Sequence, residues 1–292
     1  MCDEIDLASF AKRGMGRRQF AAMGAGVGLG ATLAACATAA EPAAGSLTES
    51  AVTIATPDGT LDAFFVHPGS GQHPAVIIWP DIAGLRESFR LMARRLAGSN
   101  YAVLVVNPFY RDQPAPQFED FADFQAKGGF QMVGPWREKL TAEAIMRDAK
   151  ALAAWLDAQG PVDASRGIGN QGYCMGGPLT VWSIAGAPDR IKAAASFHGG
   201  GLVGEGETAP INLFDDLPGD AHLLIAIAKN DDARAPDDKT KLRERAEQEG
   251  VNAEIEVYEG DHGWTVYDSP VYNEPAAEQA WERLLATYQA AL

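Results

Sequence analysis

The sequence Gly-Tyr-Cys-Met-Gly-Gly at residues 172–177 sets a cysteine in the middle of a glycine-rich turn. Residues 166–171 before it can form an extended strand, and the apolar segment that begins at Pro178 can open a helix. A strand-to-helix turn tight enough to project one side chain needs small residues on both sides, which the flanking glycines supply. The pattern predicts a nucleophile elbow with Cys174 as the nucleophile. The alternative is a glycine-rich connection that buries an unreactive cysteine.

The rest of the chain alternates short apolar segments with segments of helical periodicity, which predicts an α/β fold with a mostly parallel central sheet and helices on both faces. Residues 107–138 lack either pattern and are predicted to be irregular. The predicted strands are 51–56, 61–66, 75–79, 102–106, 166–171, 193–197, 223–228 and 253–258. The predicted helices are 86–96, 141–159, the segment from Pro178, 237–249 and about 274–291.

Charge and cysteine content exclude several classes of function. The net charge of −15 argues against a nucleic-acid partner, because phosphate binding needs a basic surface. The three cysteines are Cys2, Cys36 and Cys174, and the first two lie in a predicted targeting segment. Cys174 therefore has no internal disulfide partner in the mature chain. The five histidines show no metal-ligand spacing with one another or with Cys174, so we predict no metal site.

Residues 1–36 are predicted to be a targeting segment. The sequence Arg17-Arg18-Gln19-Phe20 precedes a weakly apolar run rich in alanine and glycine, which resembles a twin-arginine export signal. The run is too short and too rich in glycine to cross a bilayer stably. The segment therefore predicts export to the periplasm.

The signal ends in Leu-Ala-Ala-Cys36, which resembles a lipobox. In that interpretation Cys36 carries a lipid and anchors the protein to a membrane. The alternatives are cleavage after Ala39, which would release a soluble periplasmic protein, and a disordered cytoplasmic tail. Residues 37–49 are small and polar and are predicted to be a linker. Residues 50–292 then form one domain, with no internal repeat and no second domain boundary.

Residues that could activate the thiol as an acid and a base follow Cys174 later in the chain. A cysteine attacks as its thiolate and needs a base, which a third group must orient. In an α/β-hydrolase sheet the acid and then the histidine follow the nucleophile, each after a later strand. Asp231 and Asp232 follow the predicted strand 223–228, and His262 follows 253–258. This order predicts His262 as the base and Asp231 as the acid, with Asp232 as the alternative.

Two backbone amides are expected to form an oxyanion hole. One belongs to Met175, directly after the nucleophile, and the other to Ile82, in the loop after the third predicted strand. The sequence His-Gly-Gly-Gly at 198–201 matches the oxyanion motif of lipases, but that motif precedes the nucleophile and this one follows it. We interpret it as a glycine-rich loop near the mouth of a pocket.

Four features of the chain together resemble the dienelactone hydrolase family. They are the GYCMGG turn, Asp231, the His262 loop and the sequence Pro-Asp-Ile-Ala-Gly-Leu at 80–85. The resemblance covers about residues 50–291. It implies a single-domain α/β-hydrolase fold with a Cys-His-Asp triad and no cofactor.

The resemblance also implies roles for residues around the triad. An acidic residue in the loop before the first helix activates the thiol in that family, and Asp81 occupies its position as a shorter side chain than the family's glutamate. Two arginines hold the substrate carboxylate there. Arg111 lies one position from the first, and Val266 stands at the second, so the clamp is incomplete. We expect Arg111, Tyr110 and Trp264 to contact substrate.

These observations predict a hydrolase that cleaves a small-molecule carboxylic ester or lactone through a thioester on Cys174. The alternative is a lipoprotein that keeps the fold as a non-catalytic binding module. A redox sensor is a third interpretation, limited by the lack of a second cysteine to resolve an oxidised thiol. The sequence does not define the substrate or the oligomeric state.

Overall fold

The computed structural model describes residues 45–292. The predicted export signal, the lipobox with Cys36 and most of the predicted linker lie outside the described residues. The first strand begins at Leu47, so residues 47–49 belong to a strand and not to the linker predicted there. No helix within the described part of the chain is long and apolar enough to cross a membrane.

The described residues form one eight-stranded sheet in the order β1-β2-β4-β3-β5-β6-β7-β8. The first two strands form an antiparallel hairpin, β2 pairs antiparallel with β4, and all later pairs are parallel. The predicted mostly parallel sheet is therefore confirmed. The strands are β1 (Leu47–Thr56), β2 (Gly59–Pro68), β3 (Ala75–Trp79), β4 (Ala102–Val106), β5 (Ile168–Tyr173), β6 (Ile191–Phe197), β7 (His222–Ala228) and β8 (Asn252–Tyr258).

Helices lie between the strands and after the last one. They are α1 (Glu87–Ala97), α2 (Phe121–Ala126), α3 (Gly129–Arg137), α4 (Ala142–Asp157), α5 (Gly177–Gly186), α6 (Lys229–Arg234), α7 (Asp238–Glu249) and α8 (Glu274–Ala291). Two short 3₁₀ turns cover Cys174–Gly176 and Pro210–Asp216.

The segment 107–138, predicted to be irregular, contains α2 and α3. The Asp120 side chain caps α2 by accepting the Asp123 N–H, and Gly128 in a left-handed conformation (φ +66°) separates the two helices. Helices of six and nine residues are too short to show a clear period, and Pro135 lies inside the second one. The prediction of an irregular segment is therefore confirmed for residues 107–120 and wrong for the two helices.

Both faces of the sheet are buried. Along β3, Ile77 belongs to one apolar cluster, and its neighbours Val76 and Ile78 belong to the other. Side chains alternate between the faces of a strand, so a strand covered on both sides must be apolar throughout. Helix α4 contributes Ile145 and Leu152 to the first cluster, whereas α1 and α8 contribute Phe89, Leu96 and Leu284 to the second.

The carboxyl ends of the parallel strands lie at one edge of this sheet. In the register of neighbouring strands, Trp79 pairs with Gly172, Tyr173 with Phe197, and Ala228 with Tyr258. The loops that follow these strands therefore lie next to one another. In open α/β sheets, ligands bind at this edge.

A buried arginine joins three segments at that edge. Arg86 donates to Asp81 Oδ1 and Oδ2 at 2.6 and 2.9 Å, and to Asp268 Oδ2 and Oδ1 at 2.7 and 2.8 Å. Asp268 also accepts the Phe121 N–H at the start of α2. Burial opposes the charge on Arg86, but the two carboxylates raise its pKa above the ordinary value. Arg86 therefore ties the loop after β3 to the segment after β8 and to α2.

We predict that Arg86→Met destabilises the fold by about 3–5 kcal/mol, because it leaves two buried carboxylates without their counter-ion. The matched control is Arg94→Met, which removes exposed ion pairs with Glu49 and Glu87 and should cost about 1 kcal/mol or less. Urea unfolding followed by circular dichroism measures both variants. An equal decrease in the free energy of unfolding of the two variants would contradict a stabilising role for the buried cluster of Arg86.

Candidate active site

Cys174 follows β5 directly and adopts a backbone conformation that non-glycine residues seldom use. Its φ is +53°, in the left-handed region, and the 3₁₀ turn and α5 follow at once. The thiol-bearing residue is 6% exposed at the edge of the core. This is the strand, turn and helix geometry that the GYCMGG sequence predicts for a nucleophile elbow.

Close backbone contacts explain the glycines of the turn. A Cβ at Gly172 would overlap the carbonyl group of Gly176. A Cβ at Gly176 would overlap the carbonyl oxygens of Trp79 and Pro80, where β3 ends. A side chain at Gly172 would therefore disrupt the turn itself, and one at Gly176 would force the turn away from the end of β3.

His262 and Asp231 are brought together as the sequence predicts. His262 Nδ1 lies 2.6 Å from Asp231 Oδ2, and the His262 N–H donates to Asn230 Oδ1 at 2.8 Å. Trp264 stacks on Tyr258 at a centroid distance of 5.0 Å and anchors the loop after β8. An ionised carboxylate only accepts hydrogen bonds, so Nδ1 carries the proton, and Nε2 of the neutral ring is left as the acceptor.

The two neighbouring aspartates have different partners. Both lie on the short helix α6 rather than in a loop. Asp231 contacts His262, and Arg234 Nη1 lies 3.7 Å from its second oxygen. Asp232 forms an ion pair with Lys239 at 2.5 Å. Successive residues of a helix point about 100° apart, so only Asp231 faces the imidazole.

The loop after β3 holds the amide of Ile82 directly before two amides that are hydrogen-bonded within the loop. The Ala83 N–H donates to Asp81 Oδ1 at 2.9 Å, and the Gly84 N–H donates to the Asp81 carbonyl oxygen at 3.0 Å. The preceding Ile82 N–H donates no hydrogen bond within residues 45–292. Met175 lies in the first turn after Cys174, where helical amides lack internal partners. These are the two amides that the sequence predicts for an oxyanion hole.

Asp81, predicted to activate the thiol, is held inside its own loop. Both of its oxygens accept hydrogen bonds from Arg86, and one also accepts the Ala83 N–H. Three hydrogen bonds therefore hold this carboxylate within the loop.

The three residues predicted to contact substrate do not line the cleft beside His262. Arg111 donates to Asp58 and Asp148 at 2.8 and 2.9 Å, so two carboxylates balance its charge. The Tyr110 hydroxyl donates to Asp148 at 2.6 Å. Trp264 is fully buried in its stack. All three therefore have structural contacts that account for their positions.

The cleft lined by His262 and Asp231 has a volume of about 670 Å³, which is enough for a small molecule. Cys174, Ile82 and Met175 are not among the residues that line it. Of its lining residues, the sequence predicted His262, Asp231 and Asp232 as site residues and the glycine loop 199–201 near its mouth. The others lie on α3, α6, α7 and β7 or follow α6 or the glycine loop, and no local motif marks them. Within the described residues, no group of three metal-ligating side chains exists here or elsewhere. The further lining residues are apolar Leu202, Val203, Ile227, Ala235 and Leu242 and charged Arg137, Asp232, Arg234, Asp238 and Lys239.

The chain belongs to the dienelactone hydrolase family, which it matches over residues 61–292. A Salmonella typhi protein provisionally named carboxymethylenebutenolidase is 26% identical over 248 residues, which cover 82% of this chain and 87% of that protein. A Synechocystis protein with the same provisional name is 27% identical over 248 residues, with coverages of 82% and 96%.

A solved structure from Klebsiella pneumoniae, provisionally named dienelactone hydrolase, matches with a TM-score of 0.71 at 25% identity. The match covers 84% of this chain and 99% of that one. Fold and family together define the class: this is an α/β-hydrolase-fold protein of a hydrolase family.

We predict that Asp231→Asn lowers kcat for a p-nitrophenyl ester by about 100-fold or more, because an amide no longer fixes the protonated Nδ1 of His262. The matched control is Asp232→Asn, which changes the neighbouring carboxylate and removes only the pair with Lys239. It should retain kcat within about threefold. A larger decrease in kcat for Asp232→Asn than for Asp231→Asn would contradict the assignment of Asp231 as the acid.

Proposed function

We propose that the protein hydrolyses carboxylic esters or lactones of small molecules, with Cys174 as nucleophile, His262 as base and Asp231 as the acid that orients it. The observation that carries the proposal is the 2.6 Å contact between His262 Nδ1 and Asp231 in a chain of this family. The left-handed turn at Cys174, at the same edge of the sheet, supports it.

The proposed reaction has two halves. His262 Nε2 takes the thiol proton, and the sulfur attacks the carbonyl carbon to form a tetrahedral oxyanion. The amides of Ile82 and Met175 stabilise this oxyanion. When it collapses, the bond to the leaving oxygen breaks, and His262 returns the proton to that oxygen. A thioester remains on Cys174. Water then attacks the thioester with His262 as base, and the carboxylic acid leaves as the thiol reforms.

Dienelactone itself is not part of the proposal. A carboxylate clamp needs free cations, and Arg111 is already bound by two aspartates. Val266 is 1% exposed at the position expected for the second arginine. The proposed substrate class is therefore esters and lactones whose binding does not depend on a pair of arginines. The proposal also places the protein outside the cytoplasm, exported through residues 1–36 and anchored through a lipid on Cys36.

We predict that Cys174→Ala lowers the turnover of short p-nitrophenyl esters by at least about 1000-fold, because the thioester pathway is lost. In the uncleaved full-length protein, Cys2→Ser serves as the cysteine control and should match the wild type. Equal rates for Cys174→Ala and wild type would exclude the mechanism.

The assay also addresses a non-catalytic binding module, which the pairing of Asp81 and Arg111 with other charges favours. In that case the wild type shows no turnover, and iodoacetamide leaves Cys174 unmodified at neutral pH. Rapid alkylation of Cys174 supports the hydrolase instead, because only a thiolate reacts quickly.

A further inference from the structure

The glycine-rich sequence at 198–201 has no part in the proposed reaction, yet the structure places its histidine beside the candidate base. His198 follows β6 directly, between the ends of β5 and β7. Its φ is +41°, in the left-handed region, and its N–H donates to the Ala226 carbonyl oxygen at 2.8 Å. This conformation turns the side chain into the protein, and His198 is 1% exposed.

His198 contacts the loop of His262 in two ways. The two imidazole rings lie edge to face, with centroids 5.0 Å apart and planes at 60°. His198 Nε2 also lies 2.9 Å from the hydroxyl oxygen of Thr265, which is three residues beyond His262 and is itself buried. The hydrogen bond fixes the His198 ring, and the fixed ring lies against His262.

The state of the His198 ring suits this position. Burial, with a contribution from the nearby His262, holds the pKa of His198 well below its usual range, so the ring is neutral at physiological pH. A neutral ring can lie against His262 whether or not His262 carries a proton. A second imidazolium would repel the protonated base that forms during the proposed reaction.

The contact supplies a restraint that Asp231 alone does not. The hydrogen bond at Nδ1 holds that atom of the His262 ring against Asp231. The packed ring of His198 opposes a tilt or shift of the imidazole away from this position and therefore helps to set the direction of Nε2. Small errors in the placement of reacting groups cost large factors in rate.

We propose that His198 is a positioning residue for His262: held by Thr265, its ring sets the orientation of the imidazole toward the thiol of Cys174. The kinetic consequence rests on the proposed function. The contact between the rings of His198 and His262 does not depend on that function.

The test compares His198→Asn with Thr265→Val in the full-length protein. Asparagine tolerates the left-handed backbone at position 198 but removes the ring. Valine keeps the shape of Thr265 and removes only the hydroxyl group. His73→Asn, in the loop that precedes β3 at the far end of the sheet, is the control for loss of a histidine. The readouts are kcat and KM for a p-nitrophenyl ester and the rate at which iodoacetamide alkylates Cys174 at pH 7, measured on its peptide by mass spectrometry.

We expect His198→Asn to lower kcat by about tenfold or more and KM to change by less than about twofold. Alkylation of Cys174 should slow by about fivefold, because a displaced imidazolium supports the thiolate less. Thr265→Val should shift both readouts in the same direction by about threefold. His73→Asn should match the wild type.

The proposal is overturned if folded His198→Asn keeps kcat and the alkylation rate within twofold of the control. If that variant does not fold, Thr265→Val decides by the same criterion. Failure of the proposed function looks different, since Cys174→Ala and wild type would then show equal turnover. The alkylation rates would still report on the contact between the two histidines.

Discussion

The arrangement of the site depends on the close approach between the turn at Cys174 and the end of β3. The backbone at Gly176 lies against the carbonyl oxygens of Trp79 and Pro80 without room for a side chain. This contact places the left-handed Cys174 beside the loop that carries the Ile82 N–H. The segments that carry the proposed nucleophile and the proposed oxyanion donor, about 90 residues apart in the chain, are thus in backbone contact.

Buried charge holds the loops around this contact. Arg86 lies between Asp81 and Asp268, and Asp268 in turn accepts the first amide of α2. The pKa of Asp268 stays below its ordinary value because Arg86 offsets the cost of burial. The loop that bears His262 is held separately by Asn230, by the stacked Trp264 and by the contact of Thr265 with His198. The loop after β3 and the loop that bears His262 thus have separate anchors.

The sequence predicted the parts of the fold that follow from local patterns. The continuous apolar segments became the buried strands β3, β4 and β7, and the glycine spacing predicted the turn at Cys174. The order of residues after the elbow correctly predicted the contact between His262 and Asp231.

Features that depend on distant partners could not be predicted in this way. The short helices α2 and α3 rely on a cap and on packing rather than on a period. The sequence predicted that Arg111 contacts substrate, but its ion pairs with Asp58 and Asp148 depend on segments distant in the chain. The place of His198 beside His262 requires the register of β6 between β5 and β7, which no local pattern reveals.

The central claim is that acyl transfer passes through Cys174, and the most direct measurement is the mass of the intermediate. The protein is mixed with excess p-nitrophenyl acetate, quenched in acid within milliseconds, digested and analysed by mass spectrometry. If acyl transfer passes through Cys174, the peptide that contains Cys174 carries one acetyl group. Neutral hydroxylamine then removes this group, as expected for a thioester. Turnover without an adduct, or an acetyl group on another residue that forms as fast as turnover, would contradict the central claim.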